Sequence, residues 1–326
     1  MNPTRRDVSR GALAMAGLSA LTRPGRAQET RTVQETRTVQ ETRTVQETRT
    51  VEAVPAAVDC HAHVFRRDLP LADARRYAPD YDATPEDYRA VLDANGIAQG
   101  VLVQPSFYGT DNRYLLEALA RDPQRLRGIA VVAPGIALDD LRALDGAGIV
   151  GIRLNLIGQP DPDFGSAPWP DLLARIAALD WQVEVQAEAR RWPALLDPLL
   201  GAGVTVVADH FGKPDPALGI DDPGFRHLLR RGRGGRVWVK LSGSYRNGAG
   251  ETGEGIARAA LPFLKDHLGL ERLVWGSDWP HTQFERVATY GQSRARLDAW
   301  LPDPGERRIV LADAPRALFR LPKVPT

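Results

Sequence analysis

Short apolar runs rich in β-branched residues recur along the chain from residue 57 onward, and turn-forming residues bound each run. Amphipathic stretches separate the runs, and this alternation predicts strands that alternate with helices. The predicted strands cover residues 57–65, 99–106, 126–134, 149–156, 181–188, 204–210, 237–243 and 273–280. Eight such units favour an α/β fold with a closed parallel sheet, a single-domain (β/α)8 TIM barrel, over an open doubly wound sheet. Thr84 and Gly96 are the predicted N-cap and C-cap of the first helix.

Two further segments precede this pattern. Residues 1–28 carry the twin arginine Arg5-Arg6 and an apolar run over residues 11–21, followed by small residues typical of a cleavage site. They resemble a twin-arginine (Tat) signal peptide, so we expect export of the folded protein to the periplasm; an unused signal would leave it in the cytoplasm. Residues 29–52 are four near-identical copies of the hexamer ETRTVQ. One valine per copy cannot bury a core, which predicts a disordered linker before a barrel domain at 53–326.

Composition and charge exclude several classes of protein. The chain has 42 basic and 41 acidic residues, a balance that gives no indication of a nucleic-acid or anionic-membrane partner. The apolar run near the N-terminus is too short to span a bilayer, so we expect no stable membrane anchoring. Cys60 is the only cysteine, which excludes an intrachain disulfide and a cysteine-based zinc site. The oligomeric state is left open by the sequence.

Polar residues collect where the predicted strands end. In a barrel these carboxyl ends form one rim, where enzymes of this architecture build their active sites. The first strand, VDCHAHVF, places His61 and His63 on one face by strand alternation and is expected to turn Cys60 outward toward the helices. The residues of the predicted rim are His61, His63, Ser106, Arg153, Asn155, Gln186, Glu188, His210, Ser242 and Asp278.

An ordered set of motifs carries a family resemblance over the whole predicted domain. The motifs are DCHAHVF, VQPSFYGTDNRYLLEAL, GIRLNL, VVADHFGKPD, VKLSGSYR and VWGSDWPHTQFE. This set resembles the amidohydrolase superfamily, and within it the lactonase branch typified by 2-pyrone-4,6-dicarboxylate lactonase. The resemblance implies a hydrolase that opens a lactone, a cyclic carboxylic ester, and takes a small-molecule lactone or carboxylate as substrate.

The fifth predicted strand bears on whether a metal takes part. Metal-dependent members of the superfamily place a histidine there, whereas this chain has VEVQAE with Gln186 in that register. A neutral amide is a poor zinc ligand, so we expect no cofactor, as the lactonase resemblance implies. The alternative is a metal-dependent amidohydrolase or decarboxylase with one divalent ion, such as zinc, on His61, His63, His210 and Asp278.

The lactonase hypothesis assigns a role to each candidate residue. Asp278 is expected to act as general base on water, while His61, His63 and His210 polarise the ester carbonyl. Arg153 and Arg246 are expected to anchor a substrate carboxylate in a bidentate way. Ser106 and Tyr77 lie in stretches that resemble the family's substrate-binding segments.

Residues after the fourth strand leave the substrate open. The family's type member has a further basic residue there, whereas this chain has Gln159 with Asp161 and Asp163 nearby. If these acids reach the pocket, they weaken binding of a second carboxylate. A sugar-lactone hydrolase or isomerase is therefore an alternative to the hydrolysis of a 2-pyrone-4,6-dicarboxylate-like lactone. A catalytically inactive barrel that binds a ligand is the alternative from another class.

Overall fold

A computed structural model of the protein describes Val54 and residues 56–323. Eight parallel strands follow one another around a nearly closed barrel in chain order. Trp279 lies beyond the last strand and pairs with Ala62 of the first, which joins the two ends of the sheet. The strands are β1 Val58–Ala62, β2 Gln99–Val103, β3 Leu126–Ala130, β4 Ile149–Asn155, β5 Gln182–Gln186, β6 Thr205–Ala208, β7 Val237–Leu241 and β8 Leu273–Trp275.

Helices connect the strands and cover the outside of the barrel. They are α1 Pro85–Ala94, α2 Arg113–Arg121, α3 Leu138–Gly146, α4 Trp169–Ala178, α5 Trp192–Gly201, α6 Pro223–Gly232, α7 Glu251–Leu268, α8 Tyr290–Trp300, α9 Pro304–Arg308 and α10 Ala314–Phe319. The Thr84 side chain caps α1 as predicted, in a reciprocal capping box with Asp87. The C-cap is Asn95, and Gly96 follows it with a φ of +64°.

All eight predicted strands are present, and the alternating architecture is confirmed. Each strand ends before its predicted boundary because the polar residues at its carboxyl end lie in a loop. Asp278, for example, follows the last residue of β8 by three positions. These loops, and not the strands themselves, therefore carry most of the rim.

Two of the three apolar clusters of the described residues hold the barrel together. The outer cluster joins one face of the strands to the helices. The inner cluster lies inside the barrel, and α10 covers it at the end opposite the rim with Leu318 and Phe319. Charged side chains occupy the interior above this cluster, and they include Glu184 and Lys240, both fully buried.

The expected outward orientation of Cys60 is wrong. A bulge in β1 sets three residues, Cys60 to Ala62, against two of β2. Cys60 and His61 therefore both face the interior, and Cys60 packs in the inner cluster with Val101 and Val103. Because Ala62 packs in the outer cluster, His63 faces inward again, and the two imidazole rings are 4.9 Å apart as the pattern predicted.

The signal peptide and the repeat linker, residues 1–28 and 29–52, lie outside the described residues. They stay predictions. None of the described helices has the length and apolar character needed to cross a bilayer.

Candidate active site

The carboxyl ends of the strands meet around a cavity of about 170 Å³. Four basic side chains reach it, and among its described lining residues Asp278 is the only carboxylate. This excess of positive charge favours an anionic ligand. The lining residues are His63, Arg76, Tyr77, Arg153, Asn155, Ile157, Gln186, His210, Lys213, Arg246, Asp278, Thr282, Gln283 and Phe284.

Asp278 presents its two carboxylate oxygens to different surroundings. Oδ2 accepts hydrogen bonds from Arg246 Nε at 2.5 Å and from the Tyr245 hydroxyl at 2.6 Å. Oδ1 has no hydrogen-bond donor among the described residues. Burial acts to raise the pKa of Asp278, but Arg246, with smaller effects of His210 and His61, holds the pKa well below its usual range. The carboxylate is therefore ionised, with one oxygen held by two donors and the other buried without a donor among the described residues.

His63 is fixed as a hydrogen-bond acceptor toward the cavity. Its Nδ1 donates to the Val103 carbonyl oxygen at 2.7 Å, which leaves Nε2 without a proton in the neutral ring. Burial, with the Arg153 guanidinium nearby, lowers the pKa of His63 to about 3. At neutral pH, His63 therefore cannot donate a hydrogen bond to a substrate carbonyl. The role expected from the sequence required it to do so. Its Nε2 lies 4.0 Å from Asp278 Oδ1.

His210 and His61 occupy two different levels of the site. His210 lines the cavity, and its Nδ1 pairs with the Ser242 hydroxyl at 2.9 Å. Burial lowers its pKa to about 4. His61 lies one layer deeper, fully buried, with Nε2 3.8 Å from Asp278 Oδ1. Both rings are neutral at pH 7, and only His210 can reach a molecule in the cavity.

A buried ion network supports His61 from below. Lys240 Nζ lies 3.1 Å from His61 Nδ1 and 2.6 Å from Glu184 Oε1. Asp209 Oδ1 is 3.4 Å from the same His61 nitrogen. Burial raises the pKa of Glu184 to about 7, although the Lys240 ammonium opposes the shift. None of these three charged residues lines the cavity.

The two arginines expected as substrate anchors differ in their partners. Arg246 forms an ion pair with Asp278, and this contact fixes the orientation of the carboxylate. Arg153 bonds Gln186 Oε1 at 2.6 Å and lies 3.5 Å from Asp209, while its Nε has no hydrogen-bond partner among the described residues. Both line the cavity, so an anionic ligand can contact either one.

Tyr77 and Ser106 are placed differently from each other. Tyr77 lines the cavity and its hydroxyl lies 3.1 Å from that of Thr282. Ser106 begins a single turn of 3-10 helix after β2 and is not among the cavity's lining residues.

The acids after β4 do not reach the cavity. Asp161 pairs with Arg191, and Asp163 bonds Ser166. Neither they nor Gln159 line the cavity, so the condition for their weakening a second carboxylate site is not met. Arg76 and Lys213 instead add two cations that sequence reasoning missed. Arg76 directly precedes the candidate substrate-binding residue Tyr77. Lys213 lies in HFGKPD, part of a motif that carries the family resemblance.

The loops around the cavity hold unusual backbone conformations. Asp278 and His210 have φ values of 63° and 51°, in the left-handed region that non-glycine residues rarely adopt. Gly243 has a φ of 53°, and a Cβ there would lie 2.9 Å from His210 Nδ1 and 3.1 Å from Asp278 Oδ2. Strain of this kind, about 1–3 kcal/mol per residue, is concentrated at functional sites because packing elsewhere offsets it.

The site contains ligand atoms for a metal ion, but it also contains cationic side chains that would repel the ion. Ligand atoms of His61, His210 and Asp278 lie within 4.8 Å of one another, as do those of His61, Glu184 and Asp209. However, Lys240 already contacts two members of the second group, and Arg246 contacts Asp278. A divalent ion beside these charges would be repelled, so the described residues fit a metal poorly.

Comparison with known proteins agrees with this geometry. The family model described as Amidohydrolase matches residues 58–321, and the chain belongs to that family. The chain is 34% identical over 235 residues to a 2-pyrone-4,6-dicarboxylate hydrolase of Comamonas testosteroni, which covers 69% of this chain and 77% of the relative. It is 30% identical over 275 residues to a 4-sulfomuconolactone hydrolase of Hydrogenophaga intermedia, with 81% and 89% covered.

A solved structure is similar over the same domain. It is a probable 2-pyrone-4,6-dicarboxylic acid hydrolase from Acinetobacter baumannii with citric acid bound. The TM-score is 0.79 and the identity 40%, with 81% of this chain and 99% of that chain covered. The resemblance to the amidohydrolase superfamily and its lactonase branch is thereby confirmed.

We expect His63 and His210 to stay neutral from pH 8 down to pH 5. Their pKa values of about 3 and about 4 lie below the usual 6.5 because burial disfavours the imidazolium, so protonation requires a lower pH. NMR titration of protein labelled with ¹⁵N-histidine measures this, with resonances assigned through His63→Gln and His210→Gln. A titration of either ring near pH 6.5 would contradict the expectation.

Proposed function

We propose that this enzyme opens a small anionic lactone by adding water to the ester carbonyl, without a metal ion. It is a hydrolase acting on carboxylic ester bonds, since its relatives within the amidohydrolase family are lactone hydrolases. The further steps, the substrate and the residue roles that follow are part of the proposal.

The observation that carries the proposal is a pair of acceptors in the site. Asp278 Oδ1 and His63 Nε2 lie 4.0 Å apart, and both are unprotonated at neutral pH. A water about 2.8 Å from each can donate one hydrogen bond to each. Its lone pairs then point away from both acceptors and toward a carbonyl carbon in the cavity. This arrangement changes the role of His63 from carbonyl donor to water positioner.

The reaction follows from that water position. Asp278 Oδ1 takes a proton as the water oxygen bonds to the carbonyl carbon, which is general-base catalysis of about 10²–10⁴-fold. The unpartnered Arg153 Nε–H and the His210 ring stabilise the charge that develops on the carbonyl oxygen. The ring C–O bond then breaks, and the leaving oxygen takes the proton back from Asp278. The product carries a new carboxyl group and a new hydroxyl group.

Two cations at the cavity support a substrate with two negative charges. Arg76 and Lys213 both line the cavity, and neither forms an ion pair with a carboxylate in the described part of the chain. The substrates in the names of the two relatives, 2-pyrone-4,6-dicarboxylate and 4-sulfomuconolactone, each carry two anionic groups. We therefore propose a lactone dianion resembling 2-pyrone-4,6-dicarboxylate.

The second candidate is a metal-dependent amidohydrolase or decarboxylase, which the donor set of His61, His210 and Asp278 would serve. A third is a sugar-lactone hydrolase or isomerase, favoured by the neutral polar groups of Asn155 and Thr282 in the cavity lining. A substrate panel and metal analysis separate all three.

Asp278→Asn is expected to lower kcat by about 10²–10⁴-fold on a lactone dianion, because an amide cannot accept the proton of the attacking water. A panel of aryl-derived and sugar lactones, followed with a pH indicator, first identifies the substrate. Asp163→Asn, near the rim but outside the cavity, is the control and should retain wild-type turnover. Near-full turnover by Asp278→Asn, with circular dichroism unchanged, would contradict the proposal.

Removal of metal is expected to leave lactone hydrolysis unchanged. In the proposed reaction, Asp278 and His63 position and deprotonate the water, and the arginines stabilise negative charge. Metal content and kcat are measured on purified enzyme before and after dialysis against a chelator. A stoichiometric zinc whose removal abolishes turnover, and whose return restores it, would establish the second candidate instead.

Arg76→Gln is expected to raise KM about 10- to 100-fold for a dianionic lactone, because a charge-assisted hydrogen bond to the second anionic group is lost. A related lactone with a single carboxylate should show little change. The exposed neighbour Arg75 contacts the Ala72 carbonyl and does not line the cavity, so Arg75→Gln is the matched control. Equal KM changes for both lactones would contradict a role for Arg76 in binding the second charge.

A further inference from the structure

Lys240 is a charged side chain that the reaction above does not use. It lies on β7 inside the barrel and is fully buried. Its Nζ contacts Glu184 Oε1 at 2.6 Å, lies 3.6 Å from Asp209 Oδ1, and is 5.9 Å from the centre of the Phe319 ring. Because it does not line the cavity, it cannot touch a substrate. Burying an ammonium group is costly, and an arrangement this specific calls for an explanation.

The contact with His61 decides where that ring carries its proton. An ammonium group has only donors, so Lys240 Nζ, 3.1 Å away, donates to His61 Nδ1. Asp209 Oδ1 lies 3.4 Å from the same nitrogen and is the competing acceptor, but a proton on Nδ1 would also face the closer ammonium group. With Nδ1 occupied as an acceptor, the neutral imidazole carries its proton on Nε2. That nitrogen is directed toward Asp278 Oδ1, 3.8 Å away.

We propose that Lys240 is a positioning residue that holds the His61 proton on Nε2 and so keeps this ring from binding a metal. A ligating histidine nitrogen must offer a free lone pair, and the proton removes it. The same Nε2–H orders the space around Asp278 Oδ1, where the attacking water is expected. The ammonium group also fills the position between His61, Glu184 and Asp209 where a cation would otherwise bind.

The proposal accounts for two features together. It explains why a site with the donor set of a metal centre contains a fully buried lysine instead of a further ligand. It also gives His61 a function even though this side chain does not line the cavity. It rests on the proposed function only in naming Asp278 as the base, because the His61 tautomer is a property of the free protein.

The first test needs no substitution of Lys240. ¹⁵N NMR of histidine-labelled enzyme, with His61 assigned through His61→Asn, should show the Nε2–H tautomer at pH 7. The Nδ1–H tautomer in the wild-type protein would overturn the proposal. This measurement does not involve turnover, so its outcome is independent of whether lactone hydrolysis is the correct activity.

The second test removes the ammonium group. In Lys240→Met the His61 proton should move to Nδ1, toward Asp209, and Zn²⁺ affinity measured by calorimetry should rise at least about tenfold, since a histidine ligand is gained. The gain should vanish in Lys240→Met/His61→Asn. On a lactone substrate, kcat should fall while KM stays unchanged, because Lys240 does not contact the cavity.

Controls keep this second test interpretable. Lys240→Met/Glu184→Gln removes both members of the buried ion pair and serves if the single variant does not fold. Lys265→Met, at a partly exposed ion pair with Glu306, should leave tautomer and Zn²⁺ affinity as in the wild type. An unchanged His61 tautomer and unchanged Zn²⁺ affinity in a folded Lys240 variant would overturn the proposal.

Discussion

Arg246 Nε and Asp278 Oδ2 lie 2.5 Å apart, and both side chains are largely shielded from water. This ion pair offsets the cost of burying both charges, and it also chooses which carboxylate oxygen is left open. With Oδ2 held by Arg246 and Tyr245, Oδ1 faces the nitrogens of His63 and His61. In the proposed reaction, Arg246 therefore orients the Asp278 carboxylate before any substrate arrives, and in this it differs from an anchor for a substrate carboxylate.

The positive charge of the site is arranged in two layers with different roles. In the lower layer, the Lys240 ammonium pairs with Glu184 and Asp209 away from water, and the Arg153 guanidinium lies 3.5 Å from Asp209. In the upper layer, Arg76 and Lys213 lack carboxylate partners among the described residues and are open to a ligand. Burial and the neighbouring Arg246 lower the pKa of Lys213, as expected where cations accumulate. A bound anion would relieve that repulsion.

Periodicity was sufficient to predict the barrel, and six of the ten polar residues predicted at the strand ends line the cavity. Both predictions depend on the local order of apolar and polar residues, and that order recurs in all eight strand-helix units. The partner of Arg246 and the roles of Arg76 and Lys213 could not be predicted, because loop geometry brings them to the cavity and no periodicity describes loops. His63 was assigned the wrong hydrogen-bond role, since its tautomer depends on the Val103 carbonyl, forty residues away in sequence. For Ser106, the motif predicted a place near the substrate. Its backbone turn keeps it out of the cavity lining.

The bulge in β1 divides that strand into two halves. Side chains alternate between the interior and the helices within each half, but the alternation does not continue across the bulge. Below it, Val58 and Cys60 pack in the inner cluster; above it, His61 and His63 face the interior within 4.0 Å of Asp278. Pairing of the same residues without the bulge would preserve the lower half and turn both histidines toward the helices in one step. Transfer of this first strand to another barrel would succeed only if the bulge moved with it.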